Sequence, residues 1–183
     1  MKSGFRPCAA VVALVVSVLI TGCATAPESE QKRDALVDQA QASLKEMQAQ
    51  DASLQSFLDK GYGRVIFPNV GKGGLVAGGA YGRGVVYRGN EMVGYADLTQ
   101  ASLGLQAGGQ SFSELIVFQD EATFNKFTAS QFQFGANASA IALKTGAASA
   151  ATFQNGVAVF VMPKGGLMFE VSLSGQQFKY QPK

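Results

Sequence analysis

From Gly63 onward the chain is a series of short β-prone runs broken by glycine, and this pattern constrains the fold more than any other feature. Val65-Ile-Phe67, Gly84-Val-Val-Tyr87, Met92-Val-Gly-Tyr95, Leu115-Ile-Val-Phe118, Val157-Ala-Val-Phe-Val161 and Leu167-Met-Phe-Glu-Val171 are separated by Gly, Asn and Pro. They predict a mainly antiparallel sheet. Glycine inside strands marks bends, bulges or close backbone approach, so its density between Gly71 and Gly109 predicts a curved sheet closing toward a partly closed β-barrel. Arg88-Gly89-Asn90 reads as a hairpin turn. Only Glu121-Ala-Thr-Phe-Asn-Lys-Phe127 interrupts with a helical pattern.

Ahead of the sheet the periodicity is helical. Across residues 34–50, Leu36, Val37, Ala40, Leu44 and Met47 recur at helical spacing with Asp38, Gln41, Lys45 and Gln48 between them. A second short helix carries Leu54, Phe57 and Leu58 on one face, with Lys60 near its end and Gly61 as its cap. The fold class is therefore α+β, with N-terminal helices packed on a Gly-rich sheet. The apolar stripe of the first helix packs most simply on the domain. Lying in a membrane interface is the alternative, weakened by Asp34, Asp38, Glu46 and Asp51.

The first residues carry an address. Lys2 and Arg6 form a basic front, the run from Cys8 to Ile20 is almost unbroken apolar, and it ends well short of the roughly 20 residues a spanning helix needs. Residues 1–22 thus read as a signal peptide. Ile20-Thr21-Gly22-Cys23 resembles the bacterial lipobox, in which a branched apolar residue and two small residues precede the thiol that takes diacylglycerol. Cys23 is the expected lipidation site, and two or three acyl chains, palmitate among them, would hold the chain firmly on a membrane. Ala24, where an Asp would favour inner-membrane retention, points to the outer membrane and its periplasmic face, with surface exposure as the alternative. Residues 23–33 read as the lipidated cysteine and a flexible tether, and residues 34–183 as the domain.

What is missing excludes much chemistry. The chain has no His, and Cys8 leaves with the signal peptide while Cys23 is acylated, so neither a Ser-His-Asp triad, a Cys-His pair nor a thiolate- or imidazole-bound zinc can be built. No Asp-x-Asp calcium loop or phosphate loop is present. No metal, cofactor or catalytic residue is expected, and no enzyme. Glu91, Asp97, Glu114 and Glu170 are the remaining carboxylate candidates, each read more simply as a solvated strand residue. Once Lys2 and Arg6 are removed, 13 basic residues balance 13 acidic ones, which argues against nucleic acid as a partner.

Zero net charge hides a basic middle. Between Lys60 and Asn90 stand Lys60, Arg64, Lys72, Arg83 and Arg88 without one acid. An internal echo overlaps this stretch: Val65-Ile-Phe-Pro68 followed by Lys72-Gly-Gly-Leu75 is answered by Phe160-Val-Met-Pro163 and Lys164-Gly-Gly-Leu167. Each half reads as a strand, a Pro stop, a Lys on a Gly turn and a new strand. Two such turns would set Lys72 and Lys164 together at one end of a sheet beside exposed backbone N–H groups, an anion-binding geometry. Solvated lysines at two hairpin corners are the blander reading. Clustered Lys and Arg attract anionic lipid head groups by about 1 kcal/mol each near a membrane surface, unless they pair with Glu91, Asp97 or Glu114 on neighbouring strands.

Four blocks in order carry a family resemblance: Tyr62-Gly-Arg-Val-Ile-Phe-Pro68 with Lys72-Gly-Gly-Leu75; Ser102-Leu-Gly-Leu-Gln-Ala-Gly-Gly-Gln110 with Glu114-Leu-Ile-Val-Phe118; Phe134-Gly-Ala-Asn-Ala-Ser139; and Lys164-Gly-Gly-Leu-Met-Phe-Glu-Val-Ser-Leu-Ser-Gly175. From residue 35 to 180 the chain resembles the SYLF lipid-binding domain family. Eukaryotic members bind phosphoinositides through basic residues and an N-terminal amphipathic helix, and some bind actin. The resemblance implies head-group contacts at Lys60, Arg64, Lys72 and Lys164, which lie in or beside matching motifs. In a bacterial envelope the lipid partner becomes an anionic phospholipid or lipopolysaccharide. The Gly-Pro pair that eukaryotic members carry after the Ala-rich strand is replaced here by Ile141-Ala-Leu-Lys-Thr-Gly146.

Alternation of Ala136, Ala138, Ala140 and Ala142 with Asn137, Ser139, Ile141 and Leu143 reads as a strand crowded on one face, by Phe124, Phe127, Phe132 and Phe134 or by an acyl chain. Two functions follow: a membrane-anchored lipoprotein that binds anionic phospholipid head groups, or a lipid-anchored structural or host-interaction protein with no small-molecule ligand.

Overall fold

The computed structural model describes residues 26–74, 77–103, 108–134, 138–165, 173 and 175–183. The signal sequence, Cys23, the run 167–171 and Glu170 fall outside these residues.

Helix α1 runs Glu30–Gln50, beginning where Ser29 accepts a hydrogen bond from the Lys32 amide, four residues ahead of the start that apolar periodicity alone suggests. The segment before it is docked rather than free: Ala26 is buried, its amide donates to Gln181 Oε1 at 2.8 Å, and Arg33 Nε reaches the Pro27 carbonyl at 2.9 Å. Polarity and a proline suggested a tether here, but the amide and carbonyl of these residues find partners on the folded domain. Asp51 ends α1 and opens a short 3-10 turn, Ala52–Leu54, that leads into α2, Gln55–Lys60.

Among the described residues seven strands follow: β1 Gly63–Gly74, β2 Ala77–Arg88, β3 Glu91–Leu103, β4 Gly108–Phe118, β5 Ile141–Ala142, β6 Val157–Gly165 and β7 Gln176–Pro182, with α3, Glu121–Thr128, after β4. The sheet order is β5-β6-β4-β1-β2-β3-β7, antiparallel except for the β5/β6 pair. Its two edges do not meet, so the expected α+β architecture takes the curved, open form rather than a closed barrel. Curvature is nonetheless strong. Strands β4 and β7 are separated by three others, or roughly 19 Å across a flat sheet, yet Glu114 of β4 and Gln176 of β7 are hydrogen bonded at 3.1 Å across the concave face.

Both faces are covered. On the outer face Leu36, Ala40 and Met47 of α1 and Phe57 of α2 pack on Ile66, Val85, Leu115 and Phe160, so the stripe on α1 is core. Phe57 sits 5.0 Å from the rings of both Phe153 and Phe160. The inner face holds Val65, Phe67, Val86, Ile116 and Val159 beneath α3. The expected aromatic cluster of Phe124, Phe127, Phe132 and Phe134 is present and extends to Phe118 and Phe178, with Phe118 and Phe127 rings 4.9 Å apart. Each fully buried Phe adds about 1.5–3 kcal/mol of apolar transfer. Ala138 and Ala140 pack against this cluster, which crowds one side of their segment.

Three sequence expectations are corrected. Pro68 does not stop a strand: β1 continues through it, and the residue is absorbed by a bulge where pairing shifts between Ile66 and Asn69 on one side and between Phe67 and Val70 on the other. Pro163 likewise lies inside β6, next to a shift that leaves Lys164 unmatched between Ser111↔Gly165 and Phe112↔Pro163. A bulge tolerates a missing N–H that a regular ladder does not. Ala136 and Asn137 of the expected Ala-rich strand lie outside the described residues; from Ala138 on, the named strand is the two residues of β5, which pair in parallel with β6 before Gly146 at φ +79° and a turn from Lys144 to Ala147 lead the chain away. The hairpin at Gly89-Asn90 forms as expected, with Gly89 at φ +56°, a conformation that favours glycine.

Candidate functional site

Strand register fixes where each basic residue stands. Lys72 of β1 is paired with Gln110 of β4, and Lys164 of β6 lies between the partners of Ser111 and Phe112 on the same strand. Only β4 separates the two lysines, so their backbones lie roughly 10 Å apart at one end of the sheet. Lys164 is exposed and Lys72 half-buried. The juxtaposition suggested by the repeated Lys-Gly-Gly motif is therefore present, although it arises from two long bulged strands rather than from two hairpin corners.

Lys60 and Arg64 stand elsewhere. Arg64 lies eight residues before Lys72 on β1, roughly 25 Å toward the opposite end. Its Nη1 donates to the Gly89 carbonyl at 2.7 Å, and its guanidinium sits 5.1 Å from the centre of the Tyr87 ring. Burial of this guanidinium pushes its pKa down. Arg64 thus clasps the β2–β3 turn, with exposed Lys60 at the end of α2 nearby in the chain. The four residues singled out by motif form two pairs at opposite ends of the sheet, not one cluster.

The carboxylates also separate. Glu91 is exposed and bridges to Arg88 at 3.5 Å. Asp97 lies on the outer face beside Arg83 at 3.6 Å. Glu114 points the other way: it is fully buried on the inner face, its Oε2 accepts from Gln176 Nε2, and neither its Oε1 nor the Gln176 Oε1 has a hydrogen-bond partner. Burial raises its pKa from the ordinary 4.5 to about 7. Glu114 and Asp97 are both buried, against the solvated reading, yet no second carboxylate among the described residues converges on Glu114, and no group of three or more metal-ligating side chains occurs among them.

Sequence reasoning missed one surface. Arg83, Asp97 and Lys179 face one another across β2, β3 and β7, and Tyr81, Thr99 and Gln177 form the next row toward the Lys72 end. These six, with Phe178, line a groove of about 450 Å³ on the outer face. Arg83 Nε donates to the Tyr81 hydroxyl at 2.7 Å, which in turn approaches Asp97 Oδ1 at 3.3 Å. Each strand shows only a period of two, and the rows become visible once register is known.

A family model described as Ysc84, Las17-binding protein actin regulator, matches residues 99–182, which run from the middle of β3 to the end of β7. This stretch is similar to the Ysc84 (SYLF) domain family. The SYLF match contains three of the four motif blocks, and β1, which carries most of the first, belongs to the same sheet. Among curated proteins, "Beta cell expansion factor A" of Aeromonas veronii is 25% identical over 153 residues, which cover 82% of this chain. The chain spans only 58% of the length of that relative. The SYLF family is linked to lipid binding and is regarded as non-catalytic.

Proposed function

We propose that this chain is a bacterial envelope lipoprotein, anchored in the outer membrane through acylated Cys23, whose SYLF domain binds anionic phospholipid head groups. The observation that carries the reading is the placement of Lys72 and Lys164 at one end of the sheet of a domain whose family is linked to lipid binding. Two ammonium groups one strand apart can share a phosphate or bridge neighbouring head groups, each adding about 1 kcal/mol near an anionic surface. One flat bilayer cannot meet both this pair and Arg64 at the far end, so the proposed contact is assigned to Lys72 and Lys164.

The test is co-sedimentation of a soluble chain starting at Thr25 with neutral and anionic liposomes at low and high salt. Binding confined to anionic vesicles, weakened by salt and lost when Lys72 and Lys164 become Glu, supports the head-group reading. Mass spectrometry of the mature N-terminus tests acylation separately. The name of the Aeromonas relative favours a second reading, in which the anchored domain meets a host surface and has no lipid ligand. That reading expects the soluble chain to ignore liposomes of any charge.

A further inference from the structure

The groove over β2, β3 and β7 has a charge pattern unlike that of the lysine end. Its central row alternates in sign, Arg83, Asp97, Lys179, at the inter-strand spacing of roughly 4.8 Å. Asp97 is almost fully buried, Arg83 is about a third exposed, and Glu28 adds a second negative charge within electrostatic reach of Arg83. A surface built to attract a simple anion would not seat two carboxylates beside its cations. Alternation instead complements a ligand that carries both signs a few ångströms apart.

Position in the fold narrows the class. A third row, Val85, Tyr95 and Gln181, lies immediately beside the charged one, and Gln181 receives the Ala26 amide. Cys23 precedes Ala26 by three residues, which limits the distance between their Cα atoms to about 11 Å. On the reading that Cys23 is acylated, which this inference rests on, the bilayer surface is held next to the groove. Tyr81 at its rim is the exposed large apolar side chain of the described residues, 48% accessible, and its ring and hydroxyl suit the water–lipid boundary.

We propose that this groove seats the phosphoethanolamine head group of a lipid in the anchoring bilayer, with phosphate toward Arg83 and Lys179 and ammonium toward Asp97. The anchor makes encounter intramolecular, so a weak intrinsic affinity suffices for occupancy. Lys72 and Lys164 lie at the same end of the sheet as the Tyr81 row and meet anionic lipids there, while the groove takes the zwitterionic one.

The chain contains no Trp, so Tyr81→Trp in the full-length chain gives a single reporter at the groove rim. The variant, purified after processing and reconstituted into vesicles, is read by quenching from phospholipids brominated near the head group. Stronger quenching by brominated phosphatidylethanolamine than by brominated phosphatidylcholine or phosphatidylglycerol at equal mole fraction is expected. Lys179→Gln should lower that preference about fivefold, the loss of one surface charge, while Lys179→Arg retains it. Equal quenching by all three lipids, or none in protein shown by mass spectrometry to be acylated, overturns the proposal. If acylation is absent the anchor reading fails, and the indole emission of the Tyr81→Trp variant is titrated with dihexanoyl-phosphatidylethanolamine. A saturable shift absent with dihexanoyl-phosphatidylglycerol still supports the groove, and no shift overturns it. An equal response to free phosphoethanolamine assigns the groove to a soluble metabolite and likewise overturns the lipid proposal.

Discussion

Replacing Glu114 with Gln should stabilise the protein above neutral pH. Burial on the inner face raises this carboxyl to about 7 from an ordinary 4.5. The unfolded chain therefore releases the proton at lower pH than the folded one, and between those values the unfolded state binds fewer protons, so stability falls as pH rises. Above pH 7 the difference is complete, and 2.5 units correspond to about 3 kcal/mol. Gln keeps the shape and the acceptor for Gln176 Nε2, and its amide can donate to the Gln176 Oε1 that now lacks a partner. For a domain of this size about 3 kcal/mol is worth roughly 6–12 °C in Tm. Thermal unfolding at pH 5 and pH 8 reads the effect: wild type should melt lower at pH 8, Glu114→Gln should melt at nearly the same temperature at both, and the variant should exceed wild type at pH 8. A wild-type Tm that rises from pH 5 to 8, or a variant no more stable at pH 8, would refute the argument.

Three further outcomes follow from local geometry. A methyl group at Gly84 would meet the Ile66 carbonyl oxygen at 2.8 Å and the Phe67 ring at 2.7 Å, so Gly84→Ala should destabilise by about 1–3 kcal/mol in urea unfolding, whereas Gly71→Ala, with nothing within 4 Å, should be near neutral. Ser113 Oγ donates to the Pro68 carbonyl at 2.9 Å and accepts from Ser43 Oγ at 2.7 Å, tying α1 to the β1 bulge; Ser113→Ala orphans both and should lower stability by about 1–3 kcal/mol in the same assay. Asp51 accepts from the Ser53 amide and, across 97 residues, from the buried Ala148 amide at 2.7 Å, bonds that hold its pKa below the ordinary range. That contribution is present above the unfolded value of 3.8 and is lost as pH falls through the depressed one; Asp51→Ala should be destabilised at pH 7 and differ less from wild type on acidification, as followed by circular dichroism.

Periodicity made much of this fold legible. The alternation along β1, β2, β4 and β6 names residues for both faces, and Leu36, Ala40 and Met47 lie where helical spacing puts them against the sheet. What escaped was set by long-range partners. Pro68 and Pro163 read as stops because a lone strand gives no hint that a neighbour will supply a bulge. Ala26 looked like tether because its acceptor, Gln181, is 155 residues away. The repeated motif brought Lys72 and Lys164 near each other, but Lys60 and Arg64 joined them through the basic stretch and the family resemblance, and a 12-residue strand holds Arg64 apart. Glu114 looked like any strand carboxylate because its burial comes from β7 curling over it.

The bond between Ala26 and Gln181 also sets an order of assembly. The first described residue of the domain docks on its last strand, and β7 contributes Phe178 to the inner core as well as a pairing edge to β3. Neither the N-terminal segment nor the concave face is complete until β7, 155 residues away at the Ala26–Gln181 bond, has joined the sheet. Closing such a separation carries an entropic barrier that makes folding slow and keeps the glycine-rich strands unpaired meanwhile.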